Sequence, residues 1–152
     1  MEEETVSVPL VEVVIDARAY SENKRQRPYQ DRETGQIRQG PRTDEPRQRA
    51  FKQEAKLAMR RAMRAAGYGK PFGCALRVLI TRRRPSPKEP CKECPDLRFD
   101  TQRPDWDNIA KLINDAGTGE LWEDDRLIVE GSVRKEHGPA WKVLITVWEA
   151  QP

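Results

Sequence analysis

Hydrophobic and polar positions divide the chain into alternating stretches, stretches that repeat at helical spacing, and stretches that do neither. VPLVEVVIDA, residues 8–17, is dense in β-branched side chains and predicts a first strand. Phe51, Ala55, Ala58, Met59, Ala62 and Ala66 share one face of a predicted helix over 47–66, which Gly67 stops. FGCALRVLIT, residues 72–81, predicts a second strand. Trp106, Ile109, Leu112, Ile113 and Ala116 recur at helical spacing, so a short second helix is expected over 107–116, with Gly117 as its C-terminal breaker. The chain closes with RLIVEGSVRKE and AWKVLITVWEA, two alternating segments separated by HGP, which predict a hairpin.

Two stretches carry no periodicity. Residues 20–46 and 82–104 are rich in Arg, Pro and polar side chains and predict long basic loops. The order strand, helix, strand, helix, strand, strand gives the fold class: α/β (α+β), a small mixed β-sheet of about four strands with two helices packed on it. At 152 residues, one domain over 1–152 is expected.

Composition adds a modest core and a crowded surface, with 36% hydrophobic against 35% charged residues. The net charge of +3 hides two opposed blocks. Residues 47–64 hold seven Lys/Arg against one Glu, a net of 7 − 1 = +6. Residues 105–149 hold five Lys/Arg against ten Asp/Glu, a net of 5 − 10 = −5. That separation suggests a basic surface for a polyanion beside an acidic pocket that needs cations. No positively charged start leads into an apolar run and no stretch approaches a membrane span, so a soluble, intracellular (cytoplasmic) protein without membrane contact is expected. Three cysteines without a leader argue against a disulfide framework.

The candidate chemistry lies in RPDWDNIAKLINDAGTGELWEDD, residues 103–125. Asp105 and Asp107 stand where the second helix begins, and one of them suffices to cap it. The other, and the pair Asp124 and Asp125, are not explained by capping that helix. Like charges gathered together disfavour their ionised forms, so a cluster of this kind requires a cation at neutral pH. The eight residues after Gly117, the last of them Asp125, are enough to bring Asp125 back to the end of the helix where Asp107 lies. Hard oxygen donors of this kind suit Mg²⁺, completed by waters and substrate phosphate oxygens. Lys111, four residues after Asp107, shares its side of the helix. It reads either as a surface partner of Asp107 or as a cation that helps an attacking water or a charged phosphorus. Asp115 reads as a surface charge.

The run RPDWDNIAKLINDAG, followed by LWEDDRLI, resembles the signature of the RusA family of Holliday-junction endodeoxyribonucleases. In that signature a basic approach leads into D-x-D-N-x-x-K on a helix, then a short gap and an apolar-x-D-D. Asp105, Asp107, Asn108, Lys111, Asp124 and Asp125 fall on matching positions, clearest over 98–135, with a looser match at Ser21 and Asn23. The resemblance implies a homodimer that nicks four-way DNA junctions symmetrically to leave 5′-phosphate ends. It also implies Asp105, Asp107 and Asp125 as Mg²⁺ ligands (Mn²⁺ able to substitute), Lys111 as a catalytic lysine and Asp124 as a supporting acid. Two departures stand out: Pro104 replaces a basic residue common before the first aspartate, and a cysteine-bearing insert precedes the motif.

Around these acids, DNA phosphates would be met by Arg49, Lys52, Lys56 and Arg60 on the first helix and by Arg82, Arg83, Arg84, Lys88 and Arg103. A solvated helix face is the plain alternative for the first group. Tyr20 and Tyr29 are candidates for stacking on unpaired bases or, more simply, for packing. CKEC, Cys91 to Cys94, has half the spacing of a zinc site and lacks the other half, so zinc at Cys91/Cys94 is not expected. Two functions compete: a Mg²⁺-dependent junction endonuclease in DNA recombination and repair, and a non-catalytic junction-binding module whose acids are structural. A nuclease of the PD…(D/E)xK type is set aside, because no D-x-K or E-x-K follows Asp105.

Overall fold

The computed structural model describes residues 8–19, 25–43, 46–87 and 99–152. Four strands form the main sheet: β1 (Val11–Ile15), β4 (Leu76–Pro85), β5 (Ile128–Gly138) and β6 (Lys142–Glu149), in the order β1-β6-β4-β5. Two further strands, β2 (Arg25–Gln30) and β3 (Ile37–Thr43), pair with each other as a separate ribbon. Among the described residues, helices α1 (Pro46–Ala65) and α2 (Trp106–Gly117) join the strands in an α+β fold, with a 3₁₀ turn at Asp125–Leu127.

One face of the sheet is buried. Val11, Val13 and Ile15 of β1 alternate with exposed neighbours, and Leu76, Val78 and Ile80 of β4 and Val143, Ile145 and Val147 of β6 line the same side. Phe51, Ala55, Met59 and Met63 of α1 and Ile109, Leu112, Ile113 and Ala116 of α2 meet them in a single core. Each helix thus contributes a stripe at i, i+4 spacing or close to it. Lys52 of α1 reaches Asp115 of α2 at 3.0 Å, and Arg60 forks onto Glu120 at 2.7 and 2.6 Å.

Three expectations need correction. The terminal segments do not form a hairpin, because β4 lies between them: β5 pairs with it parallel and β6 antiparallel. A strand feeding a crossover helix returns parallel to itself, and β4-α2-β5 is such a unit. Pro139 to Trp141 then only have to span the end of β4, about 10 Å at two interstrand spacings. Second, β4 begins and ends four residues later than predicted, so Arg82, Arg83 and Arg84 belong to a central strand and not to a loop. Third, the stretch from 20 to 46 contains the β2–β3 ribbon, whose turn is built on Asp31 and on Gly35 at φ +68°.

The glycines also divide differently than expected. Gly67 stops α1 at φ +86°, as predicted, with its amide on the Arg64 carbonyl and the Tyr68 amide on Met63. Gly117 is the last residue of α2, and the left-handed residue is Gly119 at φ +82°. A Cβ at Gly117 would lie 2.4 Å from the fully buried Trp122 ring, so Gly117 is there for close approach.

Candidate active site

Asp105 is the N-cap residue of α2, extended at φ −67°, ψ 156°. Its carbonyl accepts the first helical bond from Ile109, yet its carboxylate makes no capping hydrogen bond. An exposed carboxylate at the positive end of a helix, unused by that helix, is available to a ligand. Asp107 follows in the first turn. Its Oδ2 lies 3.7 Å from the Lys111 ammonium, with both side chains about half exposed, so the pair is solvent-screened. These three groups share one end of α2.

Asp124 and Asp125 do not join them within one chain. Lys135 of β5 donates to the carbonyl of Gln102, three residues before Asp105, and pairs in register with Arg82 near the far end of β4. Ile128, three residues after Asp125, pairs with Leu76 at the near end. Helix α2, with its 12 residues, runs back between these ends, a length of about 18 Å. The residues after Gly117 are consumed in a tight turn: Leu121 bonds Gly117, Gly119 bonds Trp122, and Glu123 bonds Phe72. That turn seats Trp122 in the core and leaves no length to return along the helix. Asp124 caps the 3₁₀ turn by accepting from the Arg126 amide at 3.0 Å, and Asp125 is exposed at the start of that turn. Among the described residues, no three acidic, histidine or cysteine side chains gather closely enough to hold a metal ion. Asp105 and Asp107 still fit the protein's share of a hard-cation site, which takes one or two carboxylates together with waters and phosphate oxygens.

The basic residues also separate by location. Arg49 is exposed on α1 and Lys56 is half-buried, while Lys52 and Arg60 tie α1 to Asp115 and Glu120. Glu120 raises the pKa of Arg60. Asp115, expected to be a plain surface charge, is thus a helix-to-helix anchor. Arg82 is 1% exposed and donates to Asp100, itself fully buried, so its guanidinium is enclosed at the end of the central strand β4 and has almost no surface open to solvent. Burial lowers the pKa of Arg82, Asp100 opposes that, and the neighbouring Arg84 and Arg18 add to it. Arg83 points to the opposite face and bonds Glu136 at 2.6 Å. Arg84 returns to the Arg82 side, 3.8 Å from Asp100, and Arg103 is exposed beside Asp105 in sequence. Tyr29 is half exposed on the ribbon. Tyr20, Ser21, Asn23, Lys88, Cys91 and Cys94 lie outside the described residues.

Sequence reasoning missed Asp100 and Lys135. Lys135 is lowered in pKa by partial burial, with Asp100 and Asp105 opposing and Arg82 and Arg84 reinforcing the shift, so all of these groups lie within electrostatic reach of it. The available signal was periodicity: Arg82 and Arg84 continue the alternation of Val78 and Ile80, and Lys135 that of Val133. Asp100, in an aperiodic stretch, offered none.

Carboxylates at a helix mouth and guanidinium and ammonium groups are the kinds of side chain that phosphodiester chemistry employs. The family described as Endodeoxyribonuclease RusA matches residues 18–147, nearly the whole chain. The chain therefore belongs to the RusA endodeoxyribonuclease family, enzymes that hydrolyse DNA phosphodiester bonds at branched junctions. Nucleases of this kind use divalent metal ions. No curated protein matches the chain. Family membership removes the non-catalytic alternative. No helix among the described residues is long and apolar enough to cross a membrane.

Proposed function

We propose that this chain is a homodimeric Mg²⁺-dependent resolvase that cuts four-way DNA junctions by paired symmetric nicks, leaving 5′-phosphate ends, in DNA recombination and repair in the cytoplasm. Mn²⁺ substitutes for Mg²⁺ in this reading. The observation that carries it is the Asp105 carboxylate, exposed at the mouth of α2 and unused in capping, two residues before Asp107.

Asp105 and Asp107 hold the cation, and Asp125 of a second copy supplies the third carboxylate. This arrangement is supported by the length of α2 between Asp107 and Asp125 of the same chain and by the exposure of both groups. When bound, the divalent cation lowers the pKa of a water and screens the phosphate's charge. Lys111, held near Asp107 by its carboxylate, supplies a positive charge where the negative charge on the attacked phosphorus grows. Asp124 keeps the 3₁₀ turn closed and so fixes where Asp125 points. Arg49, Lys56 and Arg103 neutralise flanking phosphates.

The test uses four-way junctions covering every dinucleotide at the branch point, incubated with Mg²⁺. Symmetric nicks that DNA ligase reseals are expected. Junctions bound but left intact across the whole set would overturn the reading.

A further inference from the structure

Helical spacing assigns Trp106 to the apolar stripe of α2 with Ile109, Leu112, Ile113 and Ala116, and the structure leaves it out of that stripe. The other four are fully buried, whereas Trp106 keeps 64% of its surface in solvent. Helical side chains lean toward the N-terminus of their helix, so a residue in the body of a helix covers the turn before it. Trp106 is the first residue of α2 and has no helical turn before it to cover. Its indole is therefore left in solvent at the mouth of the helix, next to the Asp105 carboxylate that capping does not use.

The other tryptophans are covered. Trp122 is fully buried, and Trp141 and Trp148 are half-buried with the guanidiniums of Arg18 and Arg77 each 4.6 Å from the ring centre. Among the described residues, no ring, cation or hydrogen-bond partner meets the Trp106 indole. An indole is one of the largest apolar surfaces a side chain offers, and leaving it wet forgoes the burial that the other three obtain. Asp105 and Asp107 stand on either side of it in the chain, each with its Cα about 3.8 Å from that of Trp106. A substrate drawn to these two carboxylates through a cation comes up against the ring. Since this family acts on branched DNA, that substrate brings bases as well as phosphates. Every base has a face on which an aromatic ring can stack, but in a duplex arm both faces are covered by neighbours. The branch point is where that cover is interrupted. A second copy packed over the ring would instead block the mouth that the phosphate has to enter.

We infer that Trp106 is a stacking platform for a base at the branch point of the junction, beside the phosphate engaged at Asp105 and Asp107. The platform rests on the reading of the chain as a junction endonuclease that uses these two acids. Trp106 carries no charge, so its contact adds nothing to the electrostatic attraction that any duplex receives and acts on the preference for branched DNA.

The experiment measures affinity for four-way junctions and for matched duplexes by fluorescence anisotropy, with the metal chelated so that the DNA stays whole, over a series of salt concentrations. Trp106→Ala is expected to bind junctions about tenfold more weakly while keeping the wild-type duplex affinity and the wild-type slope of log affinity against log salt. Trp106→Phe retains a ring and should keep most of the junction affinity. Junctions, and not duplexes, should also quench the part of the wild-type tryptophan emission that is missing in Trp106→Phe. Wild-type junction affinity in Trp106→Ala, in protein that still cuts junctions, would overturn the platform alone, as would an equal loss on junction and duplex. A Trp106→Ala chain that sediments as a monomer where the wild type is a dimer would assign the ring to a second copy and overturn it too. A wild-type chain that neither binds nor cuts junctions would overturn the endonuclease reading, and the platform with it.

Discussion

Arg82 donates its guanidinium to the carboxylate of Asp100 with neither side chain in contact with solvent. Asp100 is further fixed by its amide on the Lys135 carbonyl, and it accepts the Gln102 amide at 3.0 Å. The segment that leads to Asp105 is thereby fastened to β4 and β5. Removing one member of a buried ion pair leaves the other uncompensated, at a cost of about 3–5 kcal/mol. Asp100→Asn and Arg82→Met should each lower stability by about that amount in urea unfolding. The double change to Met and Leu should lose less than either. A loss below about 1 kcal/mol in both single variants would contradict the buried pair.

Mixing two inactive variants separates a site within one chain from one shared between copies. Asp107→Asn and Asp125→Asn should each lower junction cleavage by about a hundredfold or more while leaving binding in place. If Asp125 serves the other copy's Asp105 and Asp107, a heterodimer of the two variants holds one intact site and one doubly altered site. Coexpressed chains should therefore regain single-strand nicking. No recovery in verified heterodimers would place all three acids of a site on one chain.

Gly117 tests the packing of the turn that diverts Asp125. Its Cβ in Gly117→Ala would fall 2.4 Å from the Trp122 ring, which has no room to retreat within the core. Overpacking of this kind costs about 1–3 kcal/mol. The expected result is a lower thermal midpoint in calorimetry. Gly119→Ala should also destabilise, for a different reason: it forces a side chain into φ +82° without any clash.

The ribbon turn should respond to acid late. The backbone amides of Thr34 and Glu33, at 3.1 and 2.9 Å, donate to Asp31 and hold its carboxyl below the ordinary value. Since the folded value lies below the unfolded one, the contribution of this carboxylate to the turn is fully present above about pH 4. It is lost as the pH falls through the lowered folded value. In an NMR titration, the Glu33 and Thr34 amide resonances should stay constant from pH 7 to about 4 and move only below that. A midpoint at or above the ordinary carboxylate value would show the turn to be open.

Basic residues spaced along α1 read in sequence as one stripe for DNA, and the structure divides it. Arg49→Gln should weaken junction binding in a salt-dependent way, since Arg49 is exposed. Arg60→Gln should show up chiefly in stability, because Arg60 forks onto Glu120 at 2.7 and 2.6 Å. Affinity and urea midpoints measured on the same two proteins check both outcomes, and equal effects on binding would restore the uniform stripe.

Local periodicity was legible wherever a segment buries one face and wets the other. The β1 alternation, the α1 stripe of Phe51, Ala55 and Met59, and the α2 stripe of Ile109, Leu112 and Ile113 all carry that signal, and all three elements form where it lies. The motif from Asp105 to Lys111 was legible for the same reason, since i and i+4 on a helix share a side whatever the rest of the chain does.

Strand neighbours were not legible in this way. Nothing in RLIVEGSVRKE or AWKVLITVWEA states that β4 lies between them, because a backbone edge offers the same hydrogen bonds to any strand. The sequence by itself determined most of the apolar positions that bury, Trp106 and Ala66 being exposed instead, and where the helices run. Only the tertiary structure decided that Arg82 goes inside to hold Asp100 and that Asp125 sits at the opposite end of α2 from Asp107. Both depend on what a distant segment brings alongside: a buried charge survives only beside its partner, and a returning chain goes where its largest apolar side chain, here Trp122, finds a core.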